Sequence, residues 1–129
     1  MTVGKQMSAD LDQSFGRIEQ LAPASRLPGT TRETSYGTPS LTVKGKSFVR
    51  LKDPETLVLM CPDDQKALLM DISPDIYFET EHYVGHSAVL IRLSAITDEE
   101  LALRLEDAWR FKAPPQLAGQ RPTEPPLQD

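Results

Sequence analysis

The chain has 129 residues, of which 39% are hydrophobic and 26% are charged, and its formal net charge at pH 7 is -5. This length predicts one domain with one hydrophobic core, and the composition excludes a wholly disordered protein. The acidic balance argues against a protein whose main activity is to neutralise nucleic-acid phosphates, because that affinity comes from lysine and arginine.

Cysteine usage and the distribution of apolar residues narrow the class further. Cys61 is the single cysteine, so no intramolecular disulfide can form, and its apolar neighbours predict a buried side chain. Residues 1–7 lack the apolar core of a signal peptide, and no run of about eighteen apolar residues occurs. We therefore expect a soluble, cytoplasmic protein that does not associate with membranes.

The first predicted element is an amphipathic helix that follows a polar and flexible segment, residues 1–7. Apolar residues recur at the spacing of one helix face: Leu11, Phe15, Ile18 and Leu21. Such a stripe favours a helix packed against a core. Ser8 suits the N-cap position and Pro23 ends the helix.

Four β-strand signals follow the helix. The predicted strands are residues 31–36, 40–44, 47–52 and 56–61. A compact turn at Lys44-Gly45-Lys46 joins the second strand to the third, since Gly45 readily adopts a positive φ. A second turn at residues 53–55 has Pro54 at a favoured position. The four strands predict an antiparallel meander.

The second half of the chain predicts a helix over residues 62–70, a strand over 87–93 and a final helix. Thr97 and Glu100 form the pattern of a capping box, and Trp109 is expected to anchor the final helix in the core. The proline-rich residues 115–129 predict a disordered tail. The order of elements predicts an α+β domain over residues 8–114, with helices on one face of an antiparallel sheet and the other face partly open.

Five segments of the chain resemble the MmcQ/YjbR family of small bacterial proteins: TSYGTP (34–39), VKGKSF (43–48), HYVGH (82–86), EDAWR (106–110) and AP (113–114). The resemblance covers residues 8–117. It implies an α+β fold of the CyaY-like, or double-wing, kind and a DNA-binding role, and it implies no established enzyme activity. Iron binding, which the CyaY comparison suggests, would need more acidic residues than Asp10, Asp12 and Glu19 on the first helix.

A basic hairpin is the first candidate site. Its cations, with no acidic residue between them, are Lys44, Lys46, Arg50 and Lys52. Strict strand alternation would place Phe48 beside Arg50 and Lys52 on one face, so that the ribbon contacts phosphates and offers the ring to a base. The alternative is that these charges only keep an exposed hairpin soluble.

The second candidate site is the segment 79–86, which carries both histidines of the chain. Imidazole and carboxylate groups are metal ligands, but no third and fourth ligand and no nucleophile can be identified, so we predict no metal, cofactor or catalytic residue. The alternative is a binding pocket that involves Tyr36, His82, Tyr83 and His86.

These patterns predict a small, monomeric, non-enzymatic binding protein. The first hypothesis is DNA binding through the basic hairpin. The second is a module that binds a protein partner or a small ligand near Tyr36, His82 and Tyr83.

Overall fold

The computed structural model describes residues 3–35 and 37–118, and its centre is a six-stranded antiparallel sheet with strand order β1-β2-β3-β4-β6-β5. The elements are α1 (Val3–Leu21), β1 (Thr30–Ser35), β2 (Thr38–Val43), β3 (Lys46–Asp53), β4 (Thr56–Met60), α2 (Asp63–Ile72), β5 (Tyr77–Phe78), β6 (Ala88–Arg92), α3 (Asp98–Lys112) and α4 (Pro115–Ala118). A short 3₁₀ helix, Glu81–Tyr83, lies between β5 and β6. The predicted α+β fold is confirmed.

The first face of the sheet is covered by α1 and α3, as their apolar stripes require. Phe15 and Ile18 of α1 are fully buried there, together with Leu101 and Leu105 of α3. Trp109 is also fully buried, and its indole N–H donates to the carbonyl oxygen of Pro28 at 3.0 Å. The predicted role of Trp109 as a core anchor is confirmed.

The second face of the sheet, which we call the open face, carries the alternate side chains of β4 and β6. Val58, Ala88 and Leu90 form a small cluster there with Tyr83 from the 3₁₀ helix. The chain between β5 and β6 therefore covers this end of the open face, whereas helices cover the first face.

The hairpin between β2 and β3 has the predicted turn. Lys44 and Gly45 both have positive φ, at 50° and 80°. Two such residues form the tight turn whose twist matches paired strands. The predicted cap of the final helix is confirmed as well, because the side chain of Thr97 accepts a hydrogen bond from the backbone N–H of Glu100 at 3.1 Å.

The predicted exposure of Phe48 is wrong, because β3 contains a bulge. Leu41 pairs with Val49, but the next residue of β2, Thr42, pairs with Ser47. Phe48 therefore has no partner residue on β2. Such an extra residue interrupts the strict alternation of side chains. Phe48 and Val49 therefore both enter the core on the first face, and both are fully buried.

The ends of the domain differ slightly from the predicted bounds. Helix α1 begins at Val3 instead of Ser8. Lys5, Gln6 and Met7, which lie before Ser8, are good helix formers, and no proline interrupts them. At the other end, α4 (Pro115–Ala118) lies beyond the predicted end of the domain at residue 114, in what was predicted to be a disordered tail. Leu117 of this helix packs against the core. Most of the predicted tail, residues 119–129, lies outside the described residues. Within the described chain, no helix is long and apolar enough to cross a bilayer.

Candidate functional site

The four cations of the predicted basic hairpin do not form one cluster. Lys44 and Lys46 are exposed at the tip of the hairpin, and Lys52 is exposed near the far end of β3. Lys52 is six positions further along the strand than Lys46, which corresponds to roughly 20 Å. Arg50 is only partly exposed and lies on the open face, where it takes part in a different site.

That site is a cavity of about 460 Å³, which we call the open-face cavity. Its lining residues are Arg50, Val58, Met60, His82, Tyr83 and His86. Arg50 and Val58 are paired across β3 and β4, so both side chains point to the same face of the sheet. Met60 follows two residues later on β4 and shares that face. The sheet therefore supplies the floor, and the segment after β5 supplies the wall.

A hydrogen bond between side chains links the floor to the wall. The Nη2 atom of Arg50 donates to the hydroxyl oxygen of Tyr83 at 2.6 Å, and its Nη1 donates to the carbonyl oxygen of Leu51 at 3.3 Å. Tyr83 is 8% exposed, so its ring is largely removed from water. A guanidinium beside a buried ring interacts with anions more strongly than it would in bulk water.

Three aromatic rings form the wall of the open-face cavity. The rings of His82 and His86 are stacked, with centroids 5.8 Å apart and an angle of 18° between their planes. His82 also contacts Tyr83 edge to face at 4.9 Å. Gly85 has a φ of 85°, which a side chain would strain, and this turn brings the two histidines to one side.

Lys66 of α2 holds this wall in place. Its ammonium donates to the carbonyl oxygens of Tyr83 and His86, each at 2.8 Å, and lies 2.7 Å from a carboxylate oxygen of Glu79. Lys66 is 6% exposed, so its ammonium is shielded from water, whereas the side chain of Glu79 is 27% exposed. Lys66 is not among the candidate residues that the sequence patterns indicate. The available signal was its position on the same helix face as Leu69.

The charges around the open-face cavity favour an anion. Its described lining includes Arg50 and two histidines but no carboxylate. Two nearby carboxylates have partners, since Glu79 contacts Lys66 and Asp63 accepts from the hydroxyl of Ser87 at 3.0 Å, whereas Glu81 next to His82 is exposed. Arg50 therefore brings a positive charge to the cavity in a protein whose net charge is negative.

Two other chemistries find little support near this site. In the part of the chain that the structure describes, no three His, Cys, Asp or Glu residues lie close enough together to hold a metal ion. Cys61 is fully buried, and this burial raises the pKa of its thiol to about 11. A thiol that stays protonated at neutral pH is a poor nucleophile.

The model for the YjbR family matches residues 25–111, a range that contains every described lining residue of the open-face cavity. The chain belongs to the YjbR family. This membership confirms the resemblance to MmcQ/YjbR proteins that the sequence motifs carry.

The YjbR chain is also similar to individual mycobacterial proteins. The uncharacterized protein Rv2570 of Mycobacterium tuberculosis and the uncharacterized protein Mb2600 of Mycobacterium bovis are each 43% identical to it over 51 residues. This match covers 40% of the chain and 39% of each relative. No solved structure matches the chain significantly.

The YjbR fold brings together three of the four residues of the predicted pocket. His82, Tyr83 and His86 line one cavity, and Tyr36 lies outside the described residues. Arg50 joins them, although the sequence pattern placed it in the predicted basic hairpin. Strand pairing explains this change, because Arg50 lies next to Val58 and not at the hairpin tip.

Proposed function

We propose that this YjbR protein is a non-enzymatic binding protein that holds a small organic anion in the open-face cavity. The observation that carries this proposal is the Arg50–Tyr83 pair at the wall of a cavity whose described lining contains no carboxylate. We further propose that the protein is cytoplasmic and monomeric, as the sequence predicts.

Size and chemistry both support a small anion. Pockets for small molecules typically have volumes of about 300–1,000 Å³ and combine an apolar lining with a few polar groups. The open-face cavity, at about 460 Å³, has Val58 and Met60 as apolar floor and Arg50 as its permanent charge. A guanidinium presents its donors in one plane, which matches the oxygens of a carboxylate or a phosphate.

The lining also supports binding without catalysis. Among the described residues of the lining there is no serine, threonine or cysteine that His82 or His86 could activate as a nucleophile. Both imidazoles are exposed at the mouth of the cavity, where they can contact a ligand.

An NMR titration tests this proposal. Benzoate, acetate, inorganic phosphate and AMP are added in turn to the ¹⁵N-labelled protein, and we expect at least one of them to shift resonances of His82, Tyr83 and His86. Arg50→Met should weaken that binding at least tenfold, because it removes the charge. Lys52→Met, on the same strand but outside the cavity, should leave it unchanged.

Arg50→Lys guards against a folding defect in the Met variant, since it keeps the charge and removes only the planar fork. We expect intermediate affinity from it. The proposal fails if no anion shifts the cavity resonances, or if Arg50→Met and Lys52→Met weaken binding to the same extent.

A second candidate function is DNA binding through the hairpin tip. The exposure of Lys44 and Lys46 supports it, since both side chains are accessible to a phosphate backbone. The buried position of Phe48 removes the base contact expected from the sequence. Binding of duplex DNA should then be salt-dependent and lost in Lys44→Glu/Lys46→Glu, and should persist in Arg50→Met. The absence of binding at low salt would contradict this candidate.

A further inference from the structure

We infer that the anion of the open-face cavity is an aromatic carboxylate, with its ring against the apolar floor and its carboxylate on Arg50. This inference rests on the function proposed above and specifies the class of ligand. Three properties of the cavity carry it: the nature of its surfaces, the number of its cations and the absence of carboxylates among its described lining residues.

The surfaces favour a ring. The accessible apolar surface of the floor is the half-buried side chain of Met60, beside the fully buried Val58. The wall is made of aromatic side chains, with Tyr83 against His82 and His86. Aromatic rings pack well against both thioethers and other rings. A short aliphatic acid such as acetate would leave the accessible part of this surface, which is Met60 and the two histidine rings, in contact with water.

The cations favour a single carboxylate over a chain of phosphates. Arg50 is the one lysine or arginine in the described lining. Lys66 follows β4 in the sequence but is not among the described lining residues. Its ammonium contacts two carbonyl oxygens and Glu79 instead. A planar guanidinium matches the two oxygens of one carboxylate, whereas a polyphosphate is normally held by several cations.

Because no described lining residue is a carboxylate, the cavity should be selective against amino acids. The ammonium group of phenylalanine would enter next to Arg50 and two imidazoles, with no described acidic partner. Placing like charges together and leaving one of them unpaired disfavours binding. A simple arenecarboxylate has the same ring and carboxylate without that penalty.

Calorimetric titration with four probes tests this inference on the full chain. The probes are 1-naphthoate, its neutral counterpart 1-naphthamide, L-phenylalanine and inorganic phosphate. We expect 1-naphthoate to bind at least tenfold more tightly than each of the others. In Arg50→Met, 1-naphthoate should lose this advantage and bind no more tightly than 1-naphthamide. Lys52→Met should behave as the wild type does.

Each outcome separates the inference from the proposed function. Equal affinity for 1-naphthoate and 1-naphthamide would overturn the role of Arg50 and hence the inference. Binding of phosphate or L-phenylalanine with shifts at His82 and His86, but without binding of 1-naphthoate, would overturn the ligand class and leave the proposed function intact. If no anion shifts the cavity resonances, both fail.

Discussion

At the residue scale, two cations stabilise the wall of the open-face cavity, one of them buried and one half-buried. Lys66 approaches the wall from α2 and neutralises Glu79, while Arg50 approaches from β3 and contacts Tyr83. Hydrogen bonds to charged groups contribute more to stability than neutral ones, above all where water is excluded. The exposed histidines therefore lie on a segment that Lys66 of α2 and Arg50 of β3 both stabilise.

Replacing Lys66 by methionine should loosen this segment. The change leaves the carbonyl groups of Tyr83 and His86 and the carboxylate of Glu79 without their shared partner. We expect the free energy of unfolding to fall by about 2 kcal/mol, the typical effect of leaving buried polar groups unsatisfied. Urea denaturation measures this change.

Lys52→Met is the matched control, because Lys52 is exposed. Its effect should stay within about 0.5 kcal/mol, as for most surface substitutions. Amide hydrogen exchange around His86 should accelerate in Lys66→Met alone. Equal stability of the two variants would contradict the anchoring role of Lys66.

At the element scale, the bulge in β3 decides which side chains the central hairpin presents. Sequence patterns describe alternation along an uninterrupted strand, and one additional residue reverses it. The hairpin turn and the strand bounds were predicted closely, because they depend on local residues such as Gly45. The face of Phe48 was not, since it depends on the register between β2 and β3.

The bulge leads to a prediction about Phe48. Phe48→Ala should lower the free energy of unfolding by about 3 kcal/mol or more, because it leaves a cavity in the core. Thermal or urea denaturation provides the measurement, with Lys46→Ala in the same strand as the exposed control. If the two variants are equally stable, Phe48 lies on the surface and the register is different.

At the scale of the whole molecule, the free energy of unfolding should change at alkaline pH because of two buried groups, the Cys61 thiol and the Tyr77 hydroxyl. Burial raises the pKa of the Cys61 thiol from 9.0 to about 11. Burial, followed by the hydrogen bond to Glu100, also raises the pKa of the Tyr77 hydroxyl. In both cases the folded state retains a proton that the unfolded chain releases at lower pH.

The sign of the effect follows from proton linkage. Below about pH 9 both states hold these protons, and above it the unfolded state binds fewer, so the free energy of unfolding decreases as pH rises. Urea denaturation between pH 7 and 10.5 should show this decrease. Cys61→Ala should make the decrease shallower, because it removes one of the two groups. An identical pH dependence in Cys61→Ala and wild type would contradict the contribution of the thiol.

The sequence by itself determined the α+β class, the order of the elements other than β5 and α4, the cap at Thr97 and the burial of Trp109. Each of these follows from spacing and turn chemistry within a few residues along the chain. Only the tertiary structure decided that Arg50 meets Tyr83, that Lys66 holds the wall, and that Phe48 faces the core. These outcomes depend on strand register and on contacts between distant segments, which no local pattern encodes.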